Sequence, residues 1–285
     1  MSELVKRWII WVSAVVFGAT SALTVAPNGS EAATTAAGVS MRGVAAGSWN
    51  LVFNDEFSGR SLVPAKWRTR VQPRTGRRLC AAPSPSMVYL SHGKAVLGIK
   101  RIGRRTKSCP YGVFANAMIG TGELTRPGFA TSYGRFAARI KFQRGGGQHG
   151  AIWLQGGASS SAEIDIAEYF GDRRPDGGIA NFVHKTSASG ALTSVGGVHR
   201  RVRRILGRRH TPSNGYHVWS VDWSPTGYVF QVDGHVIMRT SRNRTADQEF
   251  MVLSLLTSDW ELPALRTTKT KMRVDWVRVW KWTSS

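Results

Sequence analysis

Apolar and polar residues alternate in steps of two along most of this 285-residue chain, which predicts strands rather than helices. Residues 51–57 alternate in this way and stop at the turn signal Ser58-Gly59. Residues 87–100 read as a hairpin through His92-Gly93, and 116–125 as a further strand. In 135–142, Phe136, Ala138, Ile140 and Phe142 face one way while Arg135, Ala137, Arg139 and Lys141 face the other, as expected of a strand with one core face. Gly145-Gly146-Gly147 joins it to a second strand over 151–154. A hairpin is predicted from 215–223 and 228–238 around Ser224-Pro225-Thr226-Gly227, followed by apolar strands at 250–256 and 272–280. Residues 68–86, with five arginines among prolines, read as loop.

One predicted strand breaks the pattern. In Ala162-Glu163-Ile164-Asp165-Ile166-Ala167-Glu168-Tyr169, three carboxylates sit in an otherwise apolar run. Strict alternation puts Glu163 and Asp165 on one face and sends Glu168 to the other. A single β-bulge after Asp165 returns Glu168 to the acidic face. The outer Cα atoms are then about 13 Å apart, a separation that two leaning Glu side chains can shorten to the roughly 5 Å of a retaining glycosidase. Carboxylates this crowded cannot all ionise freely, so one of them holds a proton. The other readings of the run are an acidic strand facing solvent and a metal site.

Glu-Ile-Asp-Ile-Ala-Glu resembles the E-x-D-x-x-E signature of glycoside hydrolase family 16, in the bulged form of its laminarinase-like members. The resemblance recurs in order along the chain. It includes the entry strand at 51–57 with Pro64-Ala65-Lys66-Trp67, the Tyr133-Gly134-Arg135 strand, the Val232-Asp233-Gly234 hairpin and the closing strand ending Val277-Arg278-Val279-Trp280. It implies an all-β jelly-roll sandwich of two curved antiparallel sheets with an open concave cleft, and retaining endo-hydrolysis of a β-glucan with β-1,3 or mixed β-1,3-1,4 linkages. By the same resemblance Glu163 is the nucleophile, Asp165 the assisting acid and Glu168 the acid/base. Arg139, Trp153, His184 and Trp260 fall where substrate contacts are implied, and Asp275 where a structural calcium is implied. Catalysis on this pattern needs no cofactor. Where laminarinases have W-P-A this chain has Gln148-His149-Gly150-Ala151. That leaves a stacking platform missing or replaced by His149, and leaves the glucan linkage open.

Composition narrows the setting. Lys6 and Arg7 precede an apolar run at 8–26 and small residues near Ala32 and Ala33, so residues 1–33 read as an export signal and 34–48 as a flexible linker before a catalytic domain at 49–282. An uncleaved anchor is the alternative; no later stretch is apolar and long enough to span a membrane. Cys80 and Cys109 are the only cysteines, and in an exported chain they are expected to form a disulfide. The formal net charge is +22 with a pI near 11.2, a field that attracts polyanions. The basic residues are scattered over several loops with no nucleic-acid motif, so the charge points to electrostatic retention on an anionic cell wall or to a charged polysaccharide. The chain is therefore expected to be a secreted, monomeric polysaccharide hydrolase. A galactan hydrolase of agarose or carrageenan type, a cell-wall transglycosylase of the same fold and a non-catalytic carbohydrate-binding protein are the alternatives.

Overall fold

The computed structural model describes residues 47–284, except 127, 158–159, 173–177, 201 and 208–209. The export signal, most of the linker and Arg201, Arg208 and Arg209 lie outside the described residues.

Sixteen strands dominate: β1 (Gly47–Asp55), β2 (Arg68–Thr69), β3 (Ala81–Pro83), β4 (Val88–Leu90), β5 (Ala95–Gly103), β6 (Val113–Gly120), β7 (Gly134–Lys141), β8 (His149–Gly156), β9 (Ala162–Tyr169), β10 (Ile179–Thr186), β11 (Leu192–Val198), β12 (His217–Ser224), β13 (Gly227–Val232), β14 (His235–Thr240), β15 (Glu249–Leu256) and β16 (Lys269–Ser284). Twelve of them form one hydrogen-bonded path, β11-β10-β9-β8-β15-β6-β5-β16-β7-β12-β13-β14, and the other four pair at its side, β1 with β16, β2 and β3 with β6, and β4 with β5. The path divides at β6, which belongs to both halves: sheet B runs from β11 to β6, and sheet A from β6 to β14. Pairing is antiparallel except between β3 and β6. Among the described residues one α-helix, α1 (Val202–Leu206), carries Arg203 and Arg204 and buries Val202 and Leu206.

The two sheets face each other across the main core. Sheet A contributes Phe136, Ala138, Ile140, Trp219, Val221, Phe230, Val274, Val277 and Val279, and sheet B contributes Ile152, Leu154, Ile164, Tyr169, Val183, Met251, Leu253 and Leu255. Every residue of β15 is buried, because sheet B also carries a small apolar cluster on its other side. There Met118, Phe250, Val252 and Leu256 pack with Trp153.

The hairpin at His92-Gly93 forms as expected. Ser91 N donates to Lys94 O at 2.9 Å and both turn residues take positive φ, 53° and 66°, the geometry that favours Gly at the second place. The strand expected over 228–238 is instead two, β13 and β14. Asp233 and Gly234 adopt φ of 48° and 79°, and this Asp-Gly turn folds the chain back on itself. Cys80 and Cys109 form the expected disulfide. Among the described residues no helix is long and apolar enough to cross a membrane.

Candidate active site

β9 lies inside sheet B between β8 and β10, and it does not alternate throughout. On the β8 side Ile152 pairs with Ala167 and Trp153 with Asp165, so Ile166 is skipped. On the β10 side Ala180 pairs with Glu168 and Phe182 with Asp165, leaving Asn181 opposite both Ile166 and Ala167. This is the bulge that the spacing of the acids requires. Its side chains show the consequence: Ile164, Ile166, Ala167 and Tyr169 all enter the core between the sheets. Glu163, Asp165 and Glu168 therefore share the opposite, outer face of sheet B. Asn181, itself fully buried, clamps the bulge by donating its Nδ2 to Ile166 O.

Neighbouring strands give each acid its own surroundings. Glu163 lies in register with Gln155 on β8 and His184 on β10, and Asp165 with Trp153 and Phe182. Glu168 stands between Ala151 and Ala180, small residues that leave room around its carboxyl. His184 Nε2 is 3.0 Å from Asp165 Oδ2, while its Nδ1 is 2.8 Å from Ser194 Oγ on β11 and its ring stacks on Phe182. His149 Nε2 is 3.0 Å from Glu168 Oε1, and its ring stacks on Phe170 at 5.2 Å. One ligating atom from each of Glu163, Asp165 and His184 lies within 4.8 Å of the others.

Arg70 completes the cluster, and nothing in its loop sequence marked it. The β2–β6 pairing and a bond from Arg70 N to Met118 O, 2.8 Å long, hold its backbone beside sheet B. Its guanidinium donates to Gln155 Oε1 at 2.8 Å and lies 5.8 Å from the Trp153 ring and 5.7 Å from the Phe250 ring. Trp153 also donates Nε1 to Ser254 Oγ at 3.2 Å. Its indole thus bridges the small apolar cluster and Arg70.

Electrostatics follow from crowding in a poorly solvated place. Burial first, and then the adjacent Asp165, push the Glu163 carboxyl up to about 8, with His184 and Arg70 opposing the rise. Asp165 is held well above the usual carboxylate range by burial and then by Glu168. A further acid, Glu249, starts β15 with no exposed surface and, among the described residues, no partner for either carboxyl oxygen. Burial, and then Glu163, hold it well above its ordinary value.

Not all predicted contacts converge here. Trp260, 41% exposed, stands in the loop after β15 that also brings Glu261 close to His149. Arg139 is on β7 in sheet A, on the side opposite the core residues Ala138 and Ile140, and pairs with Asp275. It therefore does not line the face that holds the three acids. Two strands separated by a long loop can share an alternation pattern and still enter different sheets. Asp275 does not fit a calcium site, because its carboxylate receives Arg139 on one oxygen and Lys94 Nζ at 2.6 Å on the other. Two cations occupy the place where further oxygen ligands would be needed, and they hold the Asp275 carboxyl below its usual range.

The model for glycosyl hydrolases family 16 matches residues 97–278. The chain belongs to this family. A glucan endo-1,3-beta-glucosidase A1 from Niallia circulans is 27% identical over 271 residues, covering 81% of this chain and 38% of that protein. A beta-glucanase from Rhodothermus marinus is 27% identical over 210 residues, covering 70% of this chain and 68% of that protein. The chain thus spans well under half the length of the first relative. The laminarinase catalytic domain from Thermotoga maritima superposes with a TM-score of 0.63 at 20% identity, covering 82% of this chain and 98% of that one. At that identity the likeness shows the fold alone, a jelly roll.

Proposed function

We propose that this family 16 chain is a retaining endo-glycosidase that cleaves β-glucan at β-1,3 linkages, or at mixed β-1,3-1,4 linkages. The observation that carries the proposal is the bulge in β9, which puts Glu163, Asp165 and Glu168 on one face. Glu168 gives its proton to the leaving oxygen while Glu163 attacks the anomeric carbon; Glu168 then takes a proton from water, which releases the sugar from Glu163. Asp165 stores the proton that three crowded acids cannot all lose. Once Asp165 is neutral its repulsion of Glu163 disappears, and Arg70 and His184 favour the Glu163 anion that attack requires. His149 orients the Glu168 carboxyl and His184 the Asp165 carboxyl, and Trp153, Trp260 and the His184 ring offer aromatic surface to the sugar. The names of the Niallia and Rhodothermus relatives support β-glucan as the polymer. The signal-like N-terminus and the disulfide support work outside the cell.

The test is a polysaccharide panel with product sizing. Laminarin is expected to give a ladder of short oligosaccharides and lichenan a smaller set, with agarose untouched. Release of monomer alone, or cleavage of agarose alone, overturns the assignment; products longer than the substrate point to transglycosylation instead. A second reading, a cation held by Glu163, Asp165 and His184, is favoured by their mutual approach within 4.8 Å. Activity abolished by EDTA and restored by a divalent ion would support it.

A further inference from the structure

The outer side of sheet A, separated from the three acids by both sheets and the core, has its own chemistry. On β16 the core residues Met272 and Val274 alternate with Lys271 and Arg273, which point outward. Register then sets like charges face to face. Lys269 is the direct partner of Lys100 on β5, and Arg273 is the direct partner of Lys141 on β7. Like charges directly opposite one another destabilise an antiparallel pair, and this strand contains two such pairs with Lys271 between them. Among the described residues no carboxylate forms an ion pair with any of these five side chains. Asp275, two residues on from Arg273, is already shared by Lys94 and Arg139. Tyr216 lies under both of these cations, 5.3 Å from Lys94 and 4.9 Å from Arg139.

We propose that this face binds a linear anionic glycan, a chain with a carboxylate or phosphate on each repeat, separately from the catalytic cleft. Outward residues on one strand recur every ~6.8 Å and adjacent strands lie ~4.8 Å apart, so the cations form a grid along which an extended polyanion can lie. Charge complementarity identifies the occupant. The repulsion between Lys269 and Lys100, and between Arg273 and Lys141, is relieved when anions sit between them. The neutral substrate proposed for the cleft has nothing to offer this surface. Substrate cleavage and wall retention can thus proceed together, each on its own sheet.

The test replaces Lys269, Lys271 and Arg273 by Gln and compares this variant with a control in which Arg60, Arg200 and Arg242, exposed in turns outside this face, are replaced by Gln to remove the same charge. Binding is read by salt elution from immobilised polygalacturonate and from a glycerol-phosphate polymer; the two arms separate carboxylate from phosphodiester recognition. The stripe variant is expected to elute at clearly lower salt, and its slope of log binding constant against log salt to fall by roughly one per removed cation. The control moves far less. Both variants hydrolyse soluble oligosaccharides as the wild type does, and polygalacturonate raises Tm for the wild type and the control but not for the stripe variant. Equal losses in the two variants would show that net charge alone is responsible and overturn the site. Tighter binding of duplex DNA than of either polymer at the same salt would overturn the glycan as its occupant. Neither result bears on cleavage by Glu163 and Glu168, which the polysaccharide panel tests.

Discussion

Asn181→Ala isolates the bulge from the acids it positions. Asn181 Nδ2 donates to Ile166 O in a place with no exposed surface, so the substitution leaves a buried carbonyl without that donor at a cost of about 1–3 kcal/mol. For a domain of this size that lowers Tm by roughly 2–12 °C. The consequence for activity is larger than the stability loss suggests. Ile166 and Ala167 together face a single residue on β10, and relaxing them towards regular pairing rotates Glu168 away from Glu163. A displacement of about 1 Å costs on the order of 100-fold in rate. Steady-state kinetics on laminarin well below the variant's Tm should show kcat reduced about 10–100-fold with KM changed less than threefold, because the sugar-contacting residues stay in place. Asn181→Asp, similar in shape but without the amide donor, should behave like the Ala variant. If the Ala variant loses stability and keeps kcat within twofold, the bulge is a packing feature and not the device that aligns the acids.

Three other outcomes follow from the same structure. Arg70 favours the charged form of Glu163, so Arg70→Met raises the Glu163 pKa further and should move the acid limb of the kcat/KM profile upward by up to about one pH unit; an unmoved limb, or one that falls, contradicts this. Glu249 binds its proton more tightly folded than unfolded, so stability falls as pH rises above about 4.5, its ordinary value. Glu249→Gln removes that loss, and its Tm should match the wild type near pH 4 and exceed it increasingly towards pH 8. Cys80 and Cys109 close a loop with a sequence separation of 29, so replacing both by Ser should cost about 3–4 kcal/mol in denaturant unfolding, and a reducing agent should lower the wild type to the same level.

Local pattern and register explain what could be read without coordinates. Ile166 and Ala167 are adjacent and apolar between acids, and only a bulge puts both in the core while keeping the three acids together. That made Glu163, Asp165 and Glu168 legible. His92-Gly93 was legible because its turn chemistry lies within two residues, and Asp233-Gly234 was open to the same reasoning. Arg139 fell outside the site for a different reason. Alternation gives the face of a strand, but which sheet the strand joins depends on pairings far along the chain, here β7 with β16. Arg70 and Asn181 acquire their roles from contacts to Gln155 and Ile166, 85 and 15 residues away. No local periodicity encodes such contacts. Glu249 is the extreme case, since a charged residue at the start of an apolar strand reads as solvent-exposed until packing buries it.

The most direct test of Glu163 as nucleophile is covalent trapping. A 2-deoxy-2-fluoro β-glucoside or laminaribioside with an activated leaving group should load the enzyme at one site, seen as a single mass increment. Peptide mapping should then place the sugar on the peptide containing Glu163, and Glu163→Gln should abolish the label. A label on Glu168, or no label together with a first-formed product of inverted anomeric configuration, would contradict the account.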